Sequence, residues 1–188
     1  MTTHAFIQPT FKEKAMSQAQ RALIVIDVQN DYFEGGRFPL WNTAETLSRI
    51  VAAIGRANAQ GIPVILVQHL SGGGAHAPMF GAGTPGAQIH AQVLAAAPQA
   101  PIVSKAYADS FHQTTLAATL QQLGVEELLV CGMMTQNCVT HTAISRAADA
   151  YRVAILADCC TTVSPEIHAF ALRAVATRLP LVEAAAAL

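Results

Sequence analysis

The sequence predicts an α/β fold: a doubly wound, Rossmann-like parallel sheet of five to six strands with helices on both faces. Three observations carry this. Short apolar, β-branched runs recur along the chain, separated by segments of helical or loop character. Several of these runs (RALIVIDV, PVILVQ, RVAILA) are continuously apolar rather than alternating, as strands buried on both faces are. The chain has 188 residues, 52% of them hydrophobic and 12% charged, enough for one domain with a sizeable core.

The elements follow in order. Residues 1–20 carry scattered lysines and polar residues without a signal-peptide core, and read as a flexible arm before a domain spanning 21–188. Arg21–Val28 is the first strand, with Asp27 at its C-terminal end. A loop rich in Gly and Pro leads to a helix over Thr43–Ala59, where Leu47, Ile50, Val51 and Ile54 keep helical spacing. Gly61 ends it and Pro63–Gln68 is the second strand. HLSGGGAHAPMFGAGTPG then forms a long loop of the kind that often covers a site. It lacks the Lys-Ser/Thr ending of a phosphate-binding loop. Ile102–Ser104 is a short third strand delivering Lys105, and Thr114–Leu123 is a helix closed by Gly124. Leu128–Cys131 is the fourth strand, and Val139–Ala150 has helical character. Arg152–Ala157 is the fifth strand, Pro165–Thr177 a helix with proline suited to its first turn, and Leu181–Val182 a candidate sixth strand.

Composition narrows the partners. A formal net charge of −1 with no basic stripe gives nucleic acid no electrostatic footprint. No run is long enough to span a bilayer. So few charges predict a homo-oligomer, dimer or tetramer, with apolar surface buried between subunits. Cys131, Cys138, Cys159 and Cys160 have no disulfide framework spacing, which points to a reducing, cytoplasmic setting.

Three strands end in residues with chemical potential: Asp27, Lys105 and, just past the fourth strand, Cys138. In a parallel sheet all three open onto one edge, where ligands bind. Cys138 sits at a strand-to-helix turn, with Thr135 and Asn137 as candidate N-caps, where a helix dipole favours thiolate. As a nucleophile it needs a base, and Asp27 can accept its proton and later give it to a leaving amine, with Lys105 holding the carboxylate. The plainer alternative is a small buried residue packing helix onto sheet. Cys159 and Cys160, adjacent on a strand end, face opposite sides, so at most one faces the site.

At these residues the sequence resembles the cysteine hydrolases of the isochorismatase-like superfamily, which include nicotinamidases and N-carbamoylsarcosine amidohydrolase. The similar pieces are LIVIDVQNDYF (23–33), GTPG (83–86), IVSKAYADSFHQTTL (102–116), VCGMMTQNCVTHTA (130–143) and DCC (158–160). The resemblance implies an Asp27–Lys105–Cys138 triad. It also implies a cis peptide between Met133 and Met134, and an oxyanion hole from the Met134 and Cys138 N–H groups. The activity implied is cleavage of an amide, carbamoyl, ureido or lactam C–N bond of a small molecule through a thioester, with no cofactor. Metal-dependent nicotinamidases carry Asp-x-His and a further His after the second strand. Here that place reads Gln68-His69-Leu70-Ser71 with His76 beyond, a poor ligand set, so no metal is expected. Phe33, Trp41, His69, Tyr107, His112 and Gln136 are candidate substrate contacts on the loops at this edge. The other class of function is a catalytically silent module that binds a ligand or partner on the same fold.

Overall fold

A computed structural model describes residues 20–188, so the expected arm lies outside the described residues apart from Gln20. Six strands form one sheet in the order β3-β2-β1-β4-β5-β6, every pairing parallel. They are β1 (Arg21–Ile26), β2 (Val64–His69), β3 (Ile102–Lys105), β4 (Glu127–Met133), β5 (Arg152–Thr161) and β6 (Leu181–Val182). The helices are α1 (Thr43–Ala59), α2 (Ala91–Ala96), α3 (Leu116–Gln122), α4 (Thr140–Ala143), α5 (Pro165–Val175) and α6 (Ala184–Ala187). This is the doubly wound arrangement that the continuous apolar strands predicted. Central β1 and β4 are buried almost throughout, as strands covered on both faces must be.

Strand order reverses direction between β1 and β4. There two successive crossovers leave to opposite sides and open a crevice at the carboxyl ends of the strands. Register fixes what lines it. Ile26 pairs with Val67 on one side and Gly132 on the other, and His69 pairs with Lys105. Gly132 lies at the break in the β4–β5 register with φ +123°, and a Cβ there would stand 2.0 Å from the Ile26 carbonyl oxygen. Only glycine permits β4 to pass so close to β1 on its way to Cys138.

Three expectations need correction. The loop after β2 is not without structure but carries short 3-10 turns, and beyond it lies α2, begun where His90 Nδ1 accepts from Gln92 N–H. α2 escapes a sequence reading because it shows one turn of apolar residues among alanines, too little for periodicity. β5 runs four residues beyond Ala157, through Asp158, Cys159, Cys160 and Thr161, because a bulge in β5 shifts the register so that Gly132 and Met133 pair with Cys160 and Thr161. Cys159 and Cys160 are both fully covered there, on opposite sides. Finally, Val139–Ala150 is not one helix. A π turn (Thr135–Val139), the single-turn α4 and a 3-10 turn (Arg146–Ala150) replace it, broken at Ser145, whose side chain caps the last turn.

Candidate active site

The crevice gathers the three residues that the sequence placed at strand ends. Asp27 follows β1 directly and adopts φ 51°, a left-handed backbone that non-glycine residues seldom take. Its N–H still donates to the Val67 carbonyl at 3.0 Å, so the turn hangs on β2. Lys105 Nζ lies 2.7 Å from Asp27 Oδ2, with both side chains fully inaccessible. Lys105 Nζ also donates to the Tyr107 carbonyl at 3.0 Å and stands 3.2 Å from His69 Nδ1. Asp27, His69 and Cys138 each bring one heteroatom into a cluster whose members lie within 4.8 Å of one another. Apart from the lysine ion pair, neither Asp27 oxygen receives a well-directed hydrogen bond. The carboxylate thus keeps an oxygen free to take a proton.

Cys138 rides on the π turn, 3% exposed. Met133–Met134, just before the turn, is cis. The π turn opens without a side-chain cap, so Thr135 and Asn137 do not play the expected role. Thr135 Oγ1 instead meets His168 Nδ1 of α5 at 2.9 Å, and the Asn137 carbonyl takes Thr140 and His141. The electrostatics of the thiol also run against the sequence expectation. Burial pushes the Cys138 thiol up, the adjacent Asp27 carboxylate adds to the rise, and Lys105 opposes both. With no long helix behind it, the turn supplies no dipole sufficient to outweigh that desolvation. Burial and the neighbouring carboxylate thus favour the thiol form of Cys138 at rest.

The same crevice contains atoms of the types that bind transition metals, from Asp27, His69 and Cys138. The Lys105 ammonium, however, already stands between two of them as the cluster's cation. His76, the other histidine considered for a metal, is exposed on a 3-10 turn. Burial lowers the basicity of His69, Lys105 lowers it further, and Asp27 partly offsets them, which favours the neutral ring that can accept from the ammonium.

The candidate substrate contacts separate into near and far. His69 belongs to the cluster. Gln136 is half-buried beside the π turn, accepting from Thr162 Oγ1 and donating toward the Met134 sulfur. Phe33 packs on His90, with ring centres 4.5 Å apart. Trp41 lies 6.0 Å from the His168 ring and is anchored by backbone bonds to Thr161 and Thr162. Tyr107 and His112 form an exposed edge-on pair, and Tyr107 meets the cluster through its carbonyl alone. Tyr32, an aromatic of the loop after β1 that the sequence also offers as a pocket-lining residue, is buried at the crevice. Burial first, then the neighbouring Cys138 and Asp27, hold its hydroxyl well above the usual tyrosine range. Its proximity depends on the 3-10 turn at 30–32.

The crevice is closed, with Asp27 at 0% and Lys105 at 3% exposure. A surface hollow of about 830 Å³ lies at the opposite end of the sheet and touches none of the cluster; Ile62, Pro63, Pro101 and Leu123 help line it.

A doubly wound sheet with a thiol, a carboxylate and an ammonium buried at its switch point defines the class. The chain belongs to the isochorismatase family, whose Isochorismatase domain matches residues 21–186. It is similar to the uncharacterized isochorismatase family protein YddQ of Bacillus subtilis, 36% identical over 78% of this chain and 81% of that protein. The nicotinamidase/pyrazinamidase of Mycobacterium tuberculosis is 29% identical over 84% of this chain and 95% of its own length. Among solved structures, a putative isochorismatase hydrolase from Oleispira antarctica superposes with TM-score 0.80 at 30% identity, over 89% of this chain and 95% of that one.

Proposed function

We propose that the chain is a cysteine hydrolase cleaving the C–N bond of a small amide, ureido compound or lactam through a thioester. The observation that supports this best is the buried Asp27–Lys105 ion pair at 2.7 Å, with the Cys138 sulfur within 4.8 Å of the Asp27 carboxylate. Because the resting thiol is protonated, attack and proton transfer are coupled: Cys138 Sγ bonds to the carbonyl carbon as its proton passes to Asp27. The carbonyl electron pair moves to oxygen, where the Met134 and Cys138 N–H groups receive it. On collapse the C–N bond breaks, and the proton on Asp27 goes to the departing ammonia or amine. Water then gives a proton to Asp27, attacks the thioester and releases the acid, and Asp27 returns that proton to sulfur. Lys105 holds Asp27 in place through both halves as it takes up and gives back the proton. The relative named nicotinamidase/pyrazinamidase supports C–N chemistry in the family.

Ammonia release across nicotinamide, ureido acids, simple primary amides and small lactams tests the reading. At least one class is expected to turn over with kcat on the order of 1 s⁻¹ or more. No turnover in any class would favour the silent binding module. We further propose a homo-oligomer, on the strength of Phe170 at 76% exposure, Ile167 one turn before it on α5, and Ile144 lining the same shallow hollow as Phe170. A sedimentation mass of 19.8 kDa would end that proposal. Four free, buried cysteines support a reducing, cytoplasmic setting. Among the described residues no helix is long and apolar enough to cross a membrane.

A further inference from the structure

Lys105 Nζ has three acceptor atoms around it: Asp27 Oδ2 in an ion pair at 2.7 Å, and the Tyr107 carbonyl at 3.0 Å and His69 Nδ1 at 3.2 Å in hydrogen-bond geometry. The mechanism above uses the first, and the second lies two residues along the same chain. The third is a side chain from another strand to which the reaction assigns nothing. Its placement is built rather than incidental. His69 and Lys105 are register partners on β2 and β3, so their side chains leave the sheet on the same side. The His69 backbone is gripped by the fully buried Gln29, whose Nε2 donates to the His69 carbonyl and whose Oε1 accepts from its N–H, each at 2.8 Å. Gln29 Nε2 also donates to the Ala87 carbonyl at 2.7 Å, tying this grip to the loop before α2. The imidazole rests 5.7 Å from the Phe80 ring. A residue two places beyond Asp27 thereby fixes the histidine that meets the lysine that meets Asp27.

We infer that His69 is a positioning residue for Lys105. Its Nδ1 takes one ammonium proton and so fixes the direction in which the charge faces Asp27 and Cys138. The alternatives are a direct substrate contact and a core residue that merely fills space, and they predict different measurements. Removing the acceptor leaves a buried charged donor one bond short, free to rotate or to recruit water. The consequence for turnover rests on the hydrolase reading; the geometry itself does not.

The chain has only three lysines, Lys12, Lys14 and Lys105, so ¹⁵N-lysine labelling gives a simple spectrum. In the wild type the Lys105 ammonium is expected to be visible, slowed in hydrogen exchange by burial and three partners. In His69→Ala that resonance should broaden or vanish, and in His69→Asn, which keeps a side-chain acceptor, it should persist. On the amide turned over fastest in the panel, His69→Ala should lose about tenfold in kcat with KM within about twofold, and His69→Asn should recover most of the loss. Should His69→Ala not fold, His69→Leu keeps the volume without an acceptor and takes its place. An unchanged resonance in the acceptor-free variant overturns the inference. So does a rise in KM at constant kcat, which marks a substrate contact, or an Asn variant no better than Ala. If the wild type turns over no amide, the hydrolase reading fails while the ammonium resonance still decides the role of His69.

Discussion

Replacing Cys138 with serine is expected to leave a folded protein whose amide turnover falls by a factor on the order of 10³ or more. The size of the effect follows from the proton. A thiol beside a carboxylate can lose its proton as the carbon–sulfur bond forms, because sulfur holds developing negative charge well. A serine hydroxyl is a far weaker acid, and Asp27 is too weak a base to activate it. Burial already pushes the Cys138 thiol up, and a hydroxyl in the same place would be harder still to deprotonate. Stability should barely change. The substitution is nearly isosteric at a residue 3% exposed, and the new hydroxyl finds Asp27 as an acceptor. Cys138→Ala should be equally inactive and no less well folded. Circular dichroism and thermal melting check the fold, and ammonia release checks the activity. Turnover within tenfold of wild type in either variant would remove Cys138 as nucleophile.

The second large effect concerns the ion pair. Lys105→Met should destabilise the protein by about 3–5 kcal/mol, since it strands a carboxylate that has no access to water. For a chain of this size that corresponds to a fall in Tm of roughly 6–20 °C. The pair itself adds much less than this to stability, because removing two charges from water offsets most of their attraction. The combined Asp27→Asn/Lys105→Met variant should therefore melt closer to wild type than Lys105→Met alone. The Lys105→Met deficit should also narrow at acid pH. A stranded carboxylate is more easily buried once protonated, so the protonated form favours the folded state, and that contribution fades as pH rises. Turnover should be lost in both variants. A Lys105→Met protein melting within 2 °C of wild type would show that the carboxylate is not sealed from solvent as the closed crevice requires.

Much of this was legible beforehand. β1, β2 and β4 appear in the sequence as continuous apolar runs, since a strand covered on both faces has no polar side to show. Asp27, Lys105 and Cys138 could be brought together on paper because parallel strands share one carboxyl edge, and the family motifs ran through the same three positions. The fate of 139–150 was not legible. Alanine-rich residues satisfy helix propensity, but that propensity is worth only tenths of a kcal/mol per residue and yields to tertiary demands. Here Ser110 N–H donates to Thr142 and Ser145 to Asp109, contacts that hold the segment in short turns. Tyr107 and His112 sit on the expected loop, and what the sequence did not show is that they form an exposed edge-on pair.

By itself, then, the order of residues determined the sheet, its handed connections and the edge at which a carboxylate, an ammonium and a thiol would meet, because apolar periodicity and parallel topology are written locally. Only the folded chain decided the charge state of that thiol and the company of that ammonium. Both depend on how much water and which neighbours reach the crevice. Those depend on contacts such as Gln29 with His69 and Gly132 with Ile26, made between segments tens of residues apart, where no local pattern records them.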